Sequence, residues 1–502
     1  MDTERRDFDI AVIGAGLSGA SAAILAAQSG ARVVLLESGI AARHKVCGEF
    51  LSPESRVQLA WLGVLDAMLE SGALQIGAAR VLTSARTSRA IAFARPGLSF
   101  SRRALDGLLW ARAQEIGVDA RGQTRVSRLE RSASGHFQLE ANGEVVRARF
   151  VICATGRGSK WGRDGDEALP ANGTTQAQNG ATSPSNPLNR TRHNHVFSIA
   201  QGNWAHNGDA SSRGEENQSQ DGDTPSRVRR HEAHNAVPCS TSEARSVEAG
   251  AFSPTAQALS REKDAFFSSP GLTRAPENAV IPPANPTRNR RVRRERASRF
   301  LGLKTHLRGV RMASGEVQMF PFAGGYCGIV EVEDGAFNTC LLVDYARSKG
   351  RSPARLWDEV RRENRALGRA TEDATLEFDW LATGNVSFDR FAPARDGILR
   401  VGDAAGYIHP LSGDGMAMAL RSGELAARSV VHALEWNLSL EDAASSYSSM
   451  WEREFGSRLR WAARLQPLFT DPRFTRIAQG IFDLAPILSS FAVRRTRGKP
   501  AL

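Results

Sequence analysis

Three glycines and one acid supply the first chemistry in this chain. The stretch IAVIGAGLSGASAAI sets Gly14, Gly16 and Gly19 in a G-x-G-x-x-G pattern, and Glu37 closes the next apolar run, ARVVLLE. Glycines at this spacing let a backbone turn tightly and approach a pyrophosphate, and the helix that follows offers free N–H groups and a partial positive charge. A carboxylate at the end of the second strand accepts bonds from ribose hydroxyls and disfavours a 2′-phosphate. The pattern follows a strand, opens a helix and has its acid, so it reads as a dinucleotide site and not as a plain tight turn.

A second glycine run lies far along the chain, in ILRVGDAAGYIHPLSGDGMAMALRSG. A strand leads into a turn holding Gly402 and Asp403, and Gly413, Gly415 and Met416 mark the approach to a second helix. His409 sits between the turn and that helix. Histidine has an unperturbed pKa of about 6.5 and moves protons readily, so His409 is a candidate catalytic group against a plain turn residue. Cys47, in HKVCGEFLSPE, is the other candidate, against a small buried hydrophobe; Glu49, two residues on, is a weaker one. Lys304, His306 and Arg308 alternate along FLGLKTHLRGV, opposite Leu301, Leu303, Thr305 and Leu307. Such a face would orient an acidic or phenolic substrate, but a solvated strand face is the preferred reading.

These groups need elements to hold them. FDIAVIG and ARVVLLE are short buried strands around an Ala-rich helix that Gly30 closes, a βαβ rhythm that implies a parallel sheet. Residues 1–165 form the first part of the dinucleotide domain, with a contribution to a second domain near 70–100. From 166 to 297 Asn, Ser, Thr, Gly, Pro, Arg and Gln dominate and apolar periodicity vanishes, which predicts a long disordered insertion. Residues 298–385 alternate like an antiparallel sheet with glycine turns and then turn helical from 353. Residues 386–440 return to the dinucleotide domain. Residues 441–502 read as amphipathic helices broken at Pro467, Pro472 and Pro486. Packing on the chain's own fold is the preferred role for LQPLF and IAQGIFDLAPILSSF; capping a hydrophobic tunnel or resting on a membrane surface is the alternative.

The 502 residues carry a formal net charge of +11, which permits an acidic partner without requiring one. The dense run Arg288, Arg290, Arg291, Arg293, Arg294, Arg296 and Arg299 lacks interleaved aromatic residues, so no specific nucleic acid is expected. His193 and His195, then His231 and His234, have metal-like spacing but no ordered surroundings or cysteine partners, and no metal is expected. Five scattered cysteines without a C-x-x-C pair argue against a disulfide framework. No secretory signal and no membrane span of about 18 apolar residues is visible, which points to a cytoplasmic protein.

The second glycine run resembles the second flavin motif of the FAD-dependent superfamily that holds the aromatic hydroxylases and the geranylgeranyl reductases. The resemblance implies FAD, with Asp403 at the ribityl chain and the helix start at the pyrimidine end of the ring. It also implies that Arg102, in SFSRRALDGLLWARAQEIG, contacts the flavin with Asp106 behind it. VICATGRGSKWGR resembles the hydroxylases' A-D-G-x-x-S-x-x-R segment from Ala154 to Arg163, with Thr155 replacing the aspartate. HKVCGEFLSPE resembles the reductases' Cys-Gly segment. No W-x-W occurs, unlike the flavin halogenases of the same fold. The expected fold is α/β: a Rossmann-like FAD domain, an antiparallel-sheet substrate domain and C-terminal helices. The expected activity is reduction of a C=C bond in a lipophilic isoprenoid- or polyketide-like substrate, with NAD(P)H as electron donor. Hydroxylation of a phenolic or polyketide ring is the second reading, and a non-catalytic flavin-binding recruitment factor the third.

Overall fold

The computed structural model describes residues 7–156 and 300–470, apart from 85, 86, 88, 89, 133, 134, 387–390 and 407–412. His409, the insertion 166–297 with its histidine pairs and arginine run, and all residues after 470 lie outside the described residues. The described residues fall in one compact unit.

The first stretch runs β1 (Asp7–Ile13), α1 (Leu17–Gln28), β2 (Val33–Leu36), β3 (Phe50–Leu51), α2 (Ser55–Trp61), α3 (Leu65–Glu70), β4 (Leu74–Val81), β5 (Ile91–Ser99), α4 (Arg102–Glu115), β6 (Asp119–Arg121), β7 (Val126–Arg131), β8 (Phe137–Ala141) and β9 (Glu144–Cys153). After residue 299 come β10 (Phe300–Arg308), β11 (Glu316–Phe322), β12 (Gly325–Glu331), β13 (Phe337–Asp344), α5 (Tyr345–Ser348), α6 (Pro353–Glu363) and α7 (Arg365–Ala370). The last stretch holds β14 (Thr375–Leu376), β15 (Leu381–Val386), β16 (Ala394–Arg395), β17 (Ile398–Arg400), α8 (Gly415–Glu435) and α9 (Leu440–Thr470).

Two sheets result. The first has the order β16-β17-β9-β1-β2-β6, with β7 and β8 joined to it through β9. Its β17-β9-β1-β2-β6 centre is parallel. Strands buried on both faces read as continuous apolar runs, and Ile10, Val12, Val34, Leu35, Phe150 and Ile152 are fully buried here. The second sheet has the order β14-β10-β13-β12-β11-β4-β5-β3, with β15 also on β10. It is antiparallel except where β11 runs parallel to β4. Thus β3, β4 and β5 leave the sequence of the first domain to complete the second sheet.

Small residues set the helix packing. A side-chain carbon on Gly423 of α8 would stand 2.2 Å from the Ser18 carbonyl oxygen of α1, and one on Gly19 would stand 1.8 Å from the Gly14 carbonyl oxygen. The two helices therefore cross with backbones nearly touching, and α1 settles onto the turn that follows β1. The Ser21 hydroxyl adds a bond to the Leu420 carbonyl across the same contact.

Three sequence expectations are corrected. The face carrying Lys304 and His306 is not solvated: both side chains are buried, because a loop from the first domain covers it. The chain after 353 is helical only to Ala370, after which β14, β15 and β16 precede the expected strand β17. The last described helix runs to Thr470, past Pro467, where a break was expected.

Candidate cofactor and active site

The glycine loop has the geometry its spacing predicts. Gly14 lies in the left-handed region at φ 102°, and a side chain there would meet the Ala154 carbonyl oxygen at 2.5 Å. Gly16 differs: a side-chain carbon would find nothing nearer than the tip of Arg102, at 3.9 Å. The chain's own packing does not need a glycine at 16, so the open space on that side is a cradle for something else. Glu37 is buried at the end of β2 and accepts the Ala15 N–H at 2.9 Å and the Gly39 N–H at 3.0 Å. It thereby ties the ribose position to the glycine turn.

Arg102 opens α4, whose N-terminus is capped by the Ser101 hydroxyl on the Ala104 N–H. Its guanidinium makes two 3.0 Å bonds to Asp106, and Lys45 reaches the same buried carboxylate at 2.7 Å. Two cations share one anion, which leaves an excess of positive charge beside the Gly16 opening. Burial works against the Arg102 charge, but Asp106 and the Cys47 thiol outweigh it and raise its pKa. A diphosphate fits that charge.

The second run completes the cradle from the other side. Gly402, at φ 60°, leaves no room for a side chain against the Ser18 hydroxyl at 2.7 Å, and its N–H bonds to Ser422 of α8 at 2.8 Å. Asp403 follows in a short 3-10 turn and lines a cleft with Gly415, Met418 and Trp451. Gly413, at φ 67°, packs against the Phe50 ring, while a side chain on Gly415 would meet nothing. Met416 is buried in the first turn of α8. The residues present fit FAD: two glycine turns, each with an acid and each leading into a helix, with open space at Gly16 and Gly415.

A cluster that sequence reasoning underrated lies beside this cradle. Glu49 is completely buried, and Lys304 and His306 close on it from β10. Lys304 pairs with Oε1, which also takes the Arg102 N–H at 2.6 Å, and His306 Nε2 lies 2.8 Å from Oε2. Burial raises the Glu49 pKa, but the His306 bond and the Lys304 charge outweigh it and hold the carboxyl below its usual range. His44 stacks on Phe378 and meets the His306 ring edge-on at 5.0 Å. Burial, then the charges of Lys304 and His306, depress the His44 pKa to about 4. Ligand atoms of His44, Glu49 and His306 all lie within 4.8 Å of one another. The Lys304 ammonium already occupies the carboxylate a dication would need, so the group reads as an ion-pair cluster. Arg308 is not part of it: its guanidinium pairs with Glu377 at 3.2 Å and is half-exposed.

The Cys47 carbonyl accepts bonds from Asn338 at 3.1 Å and from the Cys340 thiol at 2.8 Å, and its side chain is half-buried. Cys340 itself is pushed up to about 12 by burial. The signal that could have found the cluster is the acid in CGEFLSP; nothing local announces its partners, 255 and 257 positions away.

Comparison with known proteins agrees with this geometry. Residues 7–249 match the model of the FAD binding domain family. Digeranylgeranylglycerophospholipid reductase 2 of Methanopyrus kandleri is 26% identical over 150 residues, 30% of this chain and 38% of that protein. The chain therefore aligns with well under half of that relative's length. A geranylgeranyl bacteriochlorophyll reductase-like protein from Thermoplasma acidophilum superposes with a TM-score of 0.58 at 16% identity, over 98% of this chain and 96% of that one. The flavin-dependent brominase Bmp2 superposes with a TM-score of 0.61 at 13% identity, over 98% and 93%. At such identities the superpositions establish the fold. Among the described residues no helix is long and apolar enough to cross a membrane.

Proposed function

We propose that this chain is an FAD-dependent oxidoreductase of the superfamily that holds the geranylgeranyl reductases and flavin monooxygenases, and that it reduces a C=C bond of a lipophilic, isoprenoid- or polyketide-like substrate. Bound FAD supplies the hydride, with NAD(P)H as the proposed source of electrons. The observation that carries the flavin reading is the Gly16 opening, which the chain leaves empty beneath the Arg102–Lys45–Asp106 group. The segment shared with the archaeal reductase tilts the reaction toward reduction over hydroxylation.

The chain's residues divide the work. The turn at Gly14–Gly19 and the α1 N-terminus hold the pyrophosphate, and Glu37 holds the ribose. Arg102 and Lys45 balance negative charge at the cradle. Asp403 and the α8 N-terminus would hold the far half of the cofactor, where a helix start favours negative charge by about 0.3–1 kcal/mol. Adding hydride to one carbon of a C=C bond requires a proton at the other. Cys47, half-buried beside Arg102, is the proposed donor among the described residues, refilled from solvent. Lys304 and His306, expected to touch substrate, bind Glu49 through the ammonium and Nε2, and His306 Nδ1 faces Glu377, so a role behind the site is the better reading. Peripheral membrane contact would follow from a lipid-like substrate.

Stopped-flow absorbance on the purified flavoprotein tests the proposal. The flavin is reduced without oxygen and then mixed with oxygenated buffer. Direct return to the oxidised spectrum is expected. A transient species distinct from both oxidised and reduced flavin overturns reduction in favour of hydroxylation, and a protein that cannot be loaded with FAD overturns both.

A further inference from the structure

We propose that Glu49 is a positioning residue that fixes the Cys47–Phe50 segment between the two halves of the flavin cradle and the second sheet. The inference rests on the flavin reading above.

The segment contacts Arg102, Gly413 and the second sheet. Arg102 reaches the Cys47 thiol on one side and stands over Gly16 on the other. The Phe50 ring lies 3.0 Å from where a side chain on Gly413 would begin. The segment thus lies between Arg102, which stands over Gly16 of the first glycine turn, and Gly413 of the second. Between them Gly48 is exposed, with no atom within 4 Å of its missing side chain, so this part of the wall faces open space.

The backbone at Glu49 is not relaxed. Its φ is 52°, a conformation that side-chain-bearing residues rarely adopt and that persists only where the surroundings enforce it. The enforcement is visible. Lys304 and His306 take the carboxylate from β10, the Arg102 N–H takes it from the start of α4, and Asn338 and Cys340 of β13 hold the Cys47 carbonyl. One side chain joins a helix N-terminus, a strained loop and the second sheet, with no exposed atom of its own. A residue of that kind contacts neither solvent nor ligand. It acts by setting where Cys47 and Gly48 stand. The other ionisable groups facing the cluster are His44, packed on the His306 ring, Glu377, 3.7 Å from His306 Nδ1, Cys340 and Cys47 beside Lys304 and Glu49, and Arg103 near His44.

Glu49→Gln keeps the shape and removes the charge. The readout is the alkylation rate of Cys47 by iodoacetamide, followed on the Cys47 peptide by mass spectrometry, in protein with and without FAD. Compared on the high-pH plateau, where the thiol is fully ionised in both proteins and the missing charge no longer sets the thiolate fraction, the rate in the FAD-free variant should rise roughly tenfold or more. Visible circular dichroism of bound FAD should change with it. If Glu49→Gln does not fold because Lys304 is left unpaired, the double variant Glu49→Gln/Lys304→Met removes both charges and is read the same way. A folded variant with the parent's alkylation rate and the parent's flavin dichroism overturns the proposal. If the parent itself binds no FAD, the flavin reading fails on its own, and alkylation of the FAD-free chain still decides the role of Glu49.

Discussion

At the scale of single residues, Gly14 and Gly16 separate folding from binding. A side chain on Gly14 enters the Ala154 carbonyl and forces a positive φ on an L-residue. Gly14→Ala is therefore expected to lower stability by about 1–3 kcal/mol. Gly16 has ordinary dihedrals, φ −74° and ψ −177°, and open space above it. Gly16→Ala loses only a preferred helix-capping residue and should cost the fold less than about 1 kcal/mol. Its methyl group points into the proposed pyrophosphate approach, so FAD should bind roughly 10- to 100-fold more weakly. Thermal unfolding of the FAD-free protein alongside flavin titration checks the pair. Equal FAD affinity in Gly16→Ala and parent would remove the ligand reading of that opening.

At the scale of elements, the cofactor site depends on how closely α1 and α8 approach. Each helix follows one of the two glycine turns, so their crossing sets the gap between the turns. Gly423→Ala inserts a carbon 2.2 Å from the Ser18 carbonyl and 3.0 Å from the Ser21 side chain. Neither backbone can yield without moving its helix, and overpacking of this kind costs about 1–3 kcal/mol. Stability and FAD affinity should fall together, measured by chemical unfolding and flavin titration. Loss of one without the other would mean that the turns do not ride on the helices. This element-level contact also marks what a sequence shows and hides. Gly14, Gly16, Gly19 and Glu37 were legible because one βαβ unit contains the whole pattern. The two-faced burial of β10 was not, since alternation along one strand cannot report a loop from the other end of the chain lying on it. The strands β14 to β16 were missed because two to six residues carry too little periodicity, whereas β17 was legible from the turn it leads into. Pro467 was read as a break on local preference, which an established helix overrides.

At the scale of the whole molecule, the question is whether the described architecture needs the stretch between β9 and β10. Every described partner of β9 is β1, β8 or β17, and every described partner of β10 is β13, β14 or β15. Both strands are thus held from outside that stretch, and both lie in sheets whose centres are closed on each side. Excising residues 166–297 and joining the ends with a Gly/Ser linker of about 20 residues should leave the sheets and the cradle intact. Closing the shorter connection should even add about 1–2 kcal/mol, at roughly 0.6 kcal/mol per halving of length. The shortened chain is expected to hold FAD at the parent's stoichiometry and to unfold at the same temperature or higher. An enzyme keeps its turnover under this excision, whereas a recruitment factor that uses the stretch keeps its flavin and loses its partner. A shortened chain that folds but no longer binds FAD would show that the site draws on residues between 166 and 297, and that the two glycine turns alone do not make it.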